Sequence, residues 1–235
     1  GRLFVAEMRN YPGDLAQQET PTGRIRVLFD DDQDGQYDRA TTYLDHLDAP
    51  TGVKVWRDAV LVVAAPNVLL TRDTDGDHQA DDVTPLFSGF RAGNEQHRAN
   101  GLRLGIDNWL YLANGDSGGT VESFAGGEAI SLRGCDLRVD PDTGRMQALS
   151  GQTQFGRVRD AHGNWFGGNN SDPIWHYVLE DRYLSRNREF APPRVHRSIP
   201  EVPGPAPVFP ASRTLPRFND FDRADRFTSA CSPLI

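Results

Sequence analysis

Apolar and polar positions alternate over short distances along most of the chain, with turn residues between the runs. The apolar runs are Gly1–Val5, Arg24–Phe29, Val53–Trp56, Val60–Ala64, Val68–Thr71, Leu102–Leu104, Trp109–Ala113, Cys135–Val139 and Asn164–Phe166. Each is about five residues long and rich in Val, Leu, Tyr or Trp, the composition of strands. No stretch before about Val178 has helical periodicity. Val178–Asn187, with acids early and arginines late as the helix dipole prefers, predicts one short helix. The pattern as a whole predicts an all-β chain.

One repeat organises these runs. Thr51–Val62 aligns without gaps on Asn100–Tyr111, an offset of 49 residues, and each copy reads strand, Asp-containing turn, strand. Gly1–Val5 and Gly163–Phe166 resemble the second half of the same hairpin. A hairpin unit recurring every roughly 40–50 residues has the period of a β-propeller blade. A β-sandwich is the alternative, but a sandwich does not require self-similarity at this period. Near the C-terminus, Pro192, Pro193, Pro200, Pro203, Pro205, Pro207, Pro210 and Pro216 fall within about residues 190–217. Such density opposes regular pairing, so a Pro-rich excursion or linker is expected there.

Composition narrows the function. Of the 33 acidic residues among 235, 25 are Asp; of the 25 Lys and Arg, only Lys54 is Lys; the net charge is −8. Asp and Gly in excess favour turns over helical bundles. An acidic balance argues against a nucleic-acid partner, and no apolar run of about 18 residues predicts a membrane span. The chain opens within a strand-like run without Met or signal peptide, and is expected to be part of a longer protein. Cys135 and Cys231 form no CxxC or zinc pattern, and a disulfide between them stays open.

Two Asp-rich loops are spaced as metal loops are. Asp30, Asp32, Asp34 and Asp38 occupy positions 1, 3, 5 and 9 of the first, with Gly35 at position 6; Asp73, Asp75, Asp77 and Asp81 repeat the spacing, with His78 at position 6. Alternating Asp in a tight loop directs several carboxylates at one centre, which suits the oxygen-rich shell of Ca²⁺. Neither loop has the Glu of an EF-hand, so structural calcium loops like those of dockerin or thrombospondin repeats are expected. A solvated acidic hairpin tip is the alternative.

The segment Gln96–Asp116 carries the candidate chemistry. His97 precedes a strand and Asp116 follows its antiparallel return, so the two side chains are expected to meet, with the carboxylate orienting the imidazole as a general base. A second segment, Phe155–Asp172, clusters Arg159, Asp160 and His162 with small residues, and Arg159 suits an anionic ligand.

The first segment resembles the His-x-x-x-Gly-x-Leu…Gly-x-Asp…Leu-Tyr-x-x-x-Gly-Asp hairpin of the soluble quinoprotein glucose/sorbosone dehydrogenases, six-bladed propellers that use pyrroloquinoline quinone (PQQ) and Ca²⁺. That resemblance implies His97 as the base that takes the substrate hydroxyl proton, supported by Asp116. It implies Arg159 as a PQQ contact, with Asp160 and His162 in place of the family's Asn and Gln. Gly168 and Asn169 would stand where backbone carbonyls hold the cofactor calcium. More of the chain is similar to the membrane-bound dehydrogenase family of planctomycetes and verrucomicrobia, the N-terminal propeller of PVC-type haem-binding proteins. The matching stretches include Val5–Pro12, Pro50–Val53, Asp73–Asp77, Gly163–Gly167, Pro173–Leu179 and Ser229–Ile235.

This family resemblance implies about four blades of a six-bladed ring, truncated at both ends, as a single domain over 1–235. It also implies an extracytoplasmic, periplasmic or membrane-associated location. The activity implied is oxidation of a sugar or alcohol, with electrons passed to a cytochrome c domain or protein; haem c would sit on a downstream domain. Two other readings are a non-catalytic, calcium-stabilised propeller that binds carbohydrate or protein, and a lactonase-type hydrolase with calcium held by Asn100, Asn169, Asn170 and Asp172.

Overall fold

The computed structural model describes residues 1–9, 11, 21–180, 183, 186, 187, 189, 195–201, 207, 209 and 230–235. Its described residues form an all-β structure of four antiparallel sheets in chain order. The first is β1 (Arg2–Glu7), β2 (Gly23–Phe29) and β3 (Arg39–Leu47). The second runs β4 (Gly52–Trp56), β5 (Ala59–Ala64), β6 (Asn67–Arg72) and β7 (Asp82–Phe90), and is widened by β10 (Gly119–Ser123) and β11 (Ile130–Ser131). The third is β8 (Asn100–Leu104), β9 (Leu110–Ala113), β12 (Asp136–Asp140) and β13 (Arg145–Leu149). The fourth is β14 (Val158–Arg159), β15 (Trp165–Gly167), β16 (Trp175–Tyr177) and β17 (His196–Ser198).

The sheets share walls. All six residues of β5 are buried because both of its faces are covered. Val60, Val62 and Ala64 pack with Ile25, Val27 and Phe29 of the first sheet. Leu61 and Val63 pack with Leu110, Leu112 and Leu137 of the third. A strand buried on both faces reads as an unbroken apolar run rather than an alternation, which is how Ala59–Ala64 reads. The third and fourth sheets meet through Tyr111, Leu149, Trp165, Trp175 and Tyr177, with the Tyr111 and Trp165 rings stacked at 3.8 Å. Successive sheets packed face to face in this way are compatible with a propeller-like fold.

The nine runs expected from sequence are all strands, within a residue or two at each end. Others gave too little signal. The outer strand β3 alternates weakly, and β7 contains Pro85, which usually argues against a central strand. Here Pro85 sits where the β6–β7 register skips a residue, between the Val68–Phe87 and Leu69–Pro85 pairs. A bulge spares the ladder the amide that proline lacks.

The repeat is real but not gap-free in space. Val55 pairs with Val60 in the first hairpin, whereas Leu104 pairs with Leu110 in the second, because the register shifts between Gly101 and Arg103. Leu102 marks that bulge with φ at 115°.

Of the predicted helix Val178–Asn187, Val178 to Glu180 are irregular, Tyr183 is helical, and several residues lie outside those described. The Pro-rich stretch lies mostly outside them as well. Among the described residues no disulfide joins Cys135 and Cys231, and no helix is long and apolar enough to cross a membrane.

The shared walls set a stability test. Leu61→Ala, at a position with no exposure, should cost about 2–5 kcal/mol in chemical denaturation. Val55→Ala, 54% exposed on the neighbouring strand, should stay within about 0.5 kcal/mol.

Candidate functional site

The starts of β4, β8 and β14 are stitched together at one end of the molecule. The Thr51 hydroxyl donates to the Ala99 carbonyl at 2.6 Å. The Asn100 side chain donates to the Gln154 carbonyl at 2.7 Å and accepts the Gly156 amide at 2.6 Å. At Gly52, a Cβ would lie 2.5 Å from the Gly101 carbonyl oxygen, so the first of these contacts requires glycine.

The loops above these strand starts are fixed by a buried carboxylate. Asp136 has no exposure. Its Oδ1 accepts the amides of Asn114 (2.8 Å) and Thr153 (2.9 Å); its Oδ2 accepts the Thr153 hydroxyl (2.6 Å) and the Arg157 Nε–H (3.0 Å). Burial pushes the Asp136 carboxyl up, and the Arg157 charge and the Thr153 and Asn114 donors oppose that push. Arg157 in turn lies 3.7 Å above the Tyr177 ring, and the Thr153 hydroxyl meets the Tyr177 hydroxyl at 2.6 Å. The Tyr177 hydroxyl is itself pushed up by burial. One carboxylate thus joins the loop after β9 to the loop before β14, and the third sheet to the fourth.

These loops bring His97 and Asp116 together. Glu95–His97 forms a single 3-10 turn, capped by the Asn94 side chain accepting the Gln96 amide. Asp116 follows β9 and returns to it: the Ser117 amide donates to the His97 carbonyl at 3.0 Å. Gly115 makes this approach possible, since a Cβ there would lie 2.0 Å from the Arg98 carbonyl oxygen. Asp116 holds φ at 73°, a conformation costing an L-residue of order 1 kcal/mol. His97 Nδ1 lies 3.6 Å from Asp116 Oδ2, with both side chains about one-third exposed. Gln152 Nε2 donates to Asp116 Oδ1, and Gln154 Nε2 faces the imidazole. On the far side of the turn, Gln96 Nε2 donates to the Tyr11 hydroxyl.

Asp116 also lines an open pocket of about 590 Å³ with Gln152, Asn169, Ser171, Asp172 and His196. None of its described lining residues is Lys or Arg. Gly168 and Asn169 lie at this end: the Gly168 carbonyl accepts the Gln154 amide at 3.1 Å, and Asn169 Oδ1 accepts the Ser171 and Asp172 amides at 2.9 and 2.7 Å. Of the oxygens in the lactonase-type reading, Asn100 Oδ1 accepts the Gly156 amide and Asn169 Oδ1 the Ser171 and Asp172 amides.

Arg159, Asp160 and His162 are not at this end. Arg159 closes β14 and donates through Nε to the Leu104 carbonyl at 2.8 Å, at the finish of β8. His97 precedes the start of β8, and the strand between them is about 13 Å long at the usual rise. Asp160 caps the turn into β15, accepting the His162 amide (2.9 Å), the Asn164 amide (2.8 Å) and Asn164 Nδ2 (2.7 Å). The Asn164 bonds hold its carboxyl below the usual carboxylate range.

The Asp loops join β2 to β3 and β6 to β7. One ligand oxygen each from Asp30, Asp32 and Asp38 lies within 4.8 Å of the others, and the same is true of Asp73, Asp75 and Asp81. Asp34 and Asp77 point elsewhere, each accepting the backbone amide and side-chain amide of the Gln two residues on. The Thr74 hydroxyl and amide hold the Asp81 carboxyl below its usual range, and Arg39 does the same for Asp31.

Sequence reasoning missed Gln152, Gln154, the Asp136–Arg157 pair and His196. Uncharged amides in a Ser- and Gly-rich loop carry no distinguishing signal, and the ion pair spans 21 residues without a motif.

A family profile described as a domain of unknown function, DUF7133, matches residues 1–235. No curated protein matches the chain. Among solved structures, a luciferin-regenerating enzyme is similar with a TM-score of 0.43 and 14% identity, over 75% of this chain and 50% of that one, so the chain spans half of that structure's length.

The buried carboxylate makes a sharp prediction. Asp136→Asn leaves Arg157 charged and buried without a counter-ion, and should cost about 3–5 kcal/mol in urea unfolding. A cost below 1 kcal/mol would show that the pair does not organise these loops.

Proposed function

We propose, for a chain that belongs to the DUF7133 family, that His97 and Asp116 form a base dyad acting on a hydroxyl of a neutral sugar or polyol in the adjoining pocket. The four sheets would be four blades of a six-bladed ring, with the site on the end where the inner strands begin. The observation that carries this reading is the 3.6 Å approach of His97 Nδ1 to Asp116 Oδ2 beside a pocket of about 590 Å³. A carboxylate at Nδ1 fixes that nitrogen as N–H and leaves Nε2 to take a proton. Gln152, Asn169 and Ser171 supply the paired donors and acceptors that hydroxyl groups need. The carboxylates of Asp116 and Asp172, with no Lys or Arg among the described lining residues, disfavour sugar acids and phosphosugars.

Oxidation of such a hydroxyl also needs a hydride acceptor. PQQ is an acidic quinone, and the residues expected to hold it, Arg159, Asp160 and His162, lie beyond the far end of β8. The pocket beside His97 offers carboxylates instead. The residues present do not fit that cofactor at this site.

Calcium fits better. The three converging carboxylates in each Asp loop supply hard oxygen ligands, with backbone carbonyls and water available to complete the shell. Asp30, Asp32, Asp38, Asp73, Asp75 and Asp81 would hold the ions, and Asp34 and Asp77 would shape the loops. Their role would be structural, pinning the two strand connections.

Two measurements test these readings. In dye-coupled oxidation of neutral sugars and polyols, run with and without added PQQ, His97→Gln should lower kcat/KM by about 10²–10⁴-fold while calorimetric binding is kept. Turnover intact in that variant would sink the base assignment. Wild-type binding without turnover would make the chain a carbohydrate-binding propeller. For the loops, Ca²⁺ at 100 times its Kd should add about 2.7 kcal/mol per occupied loop, about 5.4 kcal/mol for both, over the chelated protein. Asp32→Asn with Asp75→Asn should abolish that increment; identical melting with Ca²⁺ and chelator would remove calcium from the account.

A further inference from the structure

The chain leaves the third sheet after β9 and returns to it at β12; between the two it adds β10 and β11 to the edge of the second sheet. Asp116 stands in the turn where the chain departs. Gly115 and Asp116 both hold φ at 73°, and Gly118 holds 71°. The turn therefore runs through the left-handed region, which an L-residue such as Asp116 keeps only when its surroundings enforce it. The Gly118 carbonyl accepts the Arg91 amide at 3.0 Å, which ties the end of the turn to the end of β7.

Asn114 opens this turn and is 2% exposed. Its Oδ1 accepts the Gly118 amide at 2.7 Å and so closes the turn around Asp116. Its Nδ2 donates to the Leu132 carbonyl and to the Cys135 carbonyl (2.9 Å), both on the returning chain. A backbone amide on one side can only donate, and two carbonyls on the other can only accept. These partners decide which side-chain atom is oxygen and which is nitrogen. The two ends of one amide thus do separate things: the oxygen shapes the turn, and the nitrogen joins the departing chain to the returning one.

We infer that Asn114 is a positioning residue for Asp116: its Oδ1 shapes the Asn114–Gly118 turn that brings the carboxylate to His97, and its Nδ2 locks that turn to the returning chain. The catalytic purpose rests on the base reading of His97 and Asp116; the clasp itself follows from the donors and acceptors around Asn114.

Two variants separate positioning from stability. Asn114→Ala removes both ends of the amide, whereas Asn114→Asp keeps an acceptor oxygen for Gly118 and loses the nitrogen. Both should melt below wild type. In the dye-coupled assay Asn114→Ala should lower kcat by up to about 10²-fold, the cost of a misplaced catalytic group, with KM little changed, and Asn114→Asp should recover most of that loss. Amide hydrogen exchange of the full chain reads the turn without any turnover. The Ser117 and Gly118 amides should be protected in wild type and in Asn114→Asp, and should exchange freely in Asn114→Ala while the β5 amides stay protected. Free exchange of those two amides in wild type or in Asn114→Asp overturns the inference, whether or not Asn114→Ala folds. Protection retained in Asn114→Ala overturns it as well, and so does a kcat that falls equally in both variants, which would make Asn114 structural only. If the exchange pattern is as inferred but His97→Gln retains full turnover, the base reading fails and the assignment of Asn114 to the turn stands.

Discussion

A buried carboxylate without exposure to water is tolerable only if every lone pair is met, and meeting them is what assembles this end of the molecule. The four donors to Asp136 come from the loop after β9, the loop before β14 and Arg157. None of them is adjacent to it in sequence. Charge-assisted bonds of this kind are worth more inside a protein than at its surface, and a partly met network costs more than none. The loops that carry Asp116, Gln152 and Gln154 are therefore not independent. Each is in place because the same carboxylate requires it, and the His97 turn is set against them by the Ser117 amide.

That dependence explains why the sequence was informative about some parts and silent on others. The apolar runs of β2, β5, β6 and β9 declare themselves because each fills a wall between two sheets. β16 and β17 are only three residues long, too short to show an alternation. The His97–Asp116 approach was legible because it depends only on hairpin geometry: a strand and its antiparallel return bring their outer ends side by side. The same geometry separates Arg159, the PQQ contact that the resemblance implied, from His97. His97 precedes β8, and Arg159 ends β14 against the finish of β8, so strand direction alone sends them to opposite ends. No motif marks Asp136 or Gln154, since their roles come from what surrounds them after folding.

The two ends divide the chemistry between them. The far end of β8 meets Arg159 and the Asp160 turn, where acids serve as caps for backbone amides. In the Asp loops the same residue type is bent in two ways: three carboxylates converge, and the fourth folds back on a glutamine. At the His97 end Arg157 holds Asp136, Gln152 holds Asp116, the Ser198 hydroxyl holds Asp172, and Arg98 lies against Asp48 and Glu95. The excess of Asp over Glu follows from this division, because a short side chain can accept from amides two residues away while a longer one cannot do so without strain.

The bulge at Leu102 has a consequence for how such a chain diversifies. The returning strands of the two repeated hairpins differ by one residue in register, so aligned positions face opposite ways. Val62 looks toward the first sheet, whereas its aligned counterpart Tyr111 looks toward the fourth, stacking on Trp165 and bonding Asp107 with Arg138 close by. Burial pushes the Tyr111 hydroxyl up to about 12, against the pull of Arg138. The register shift alone turns aligned positions toward different neighbours. One residue of slack exchanges a hairpin's inside for its outside, and a template for aliphatic packing becomes the seed of an aromatic and charged seam.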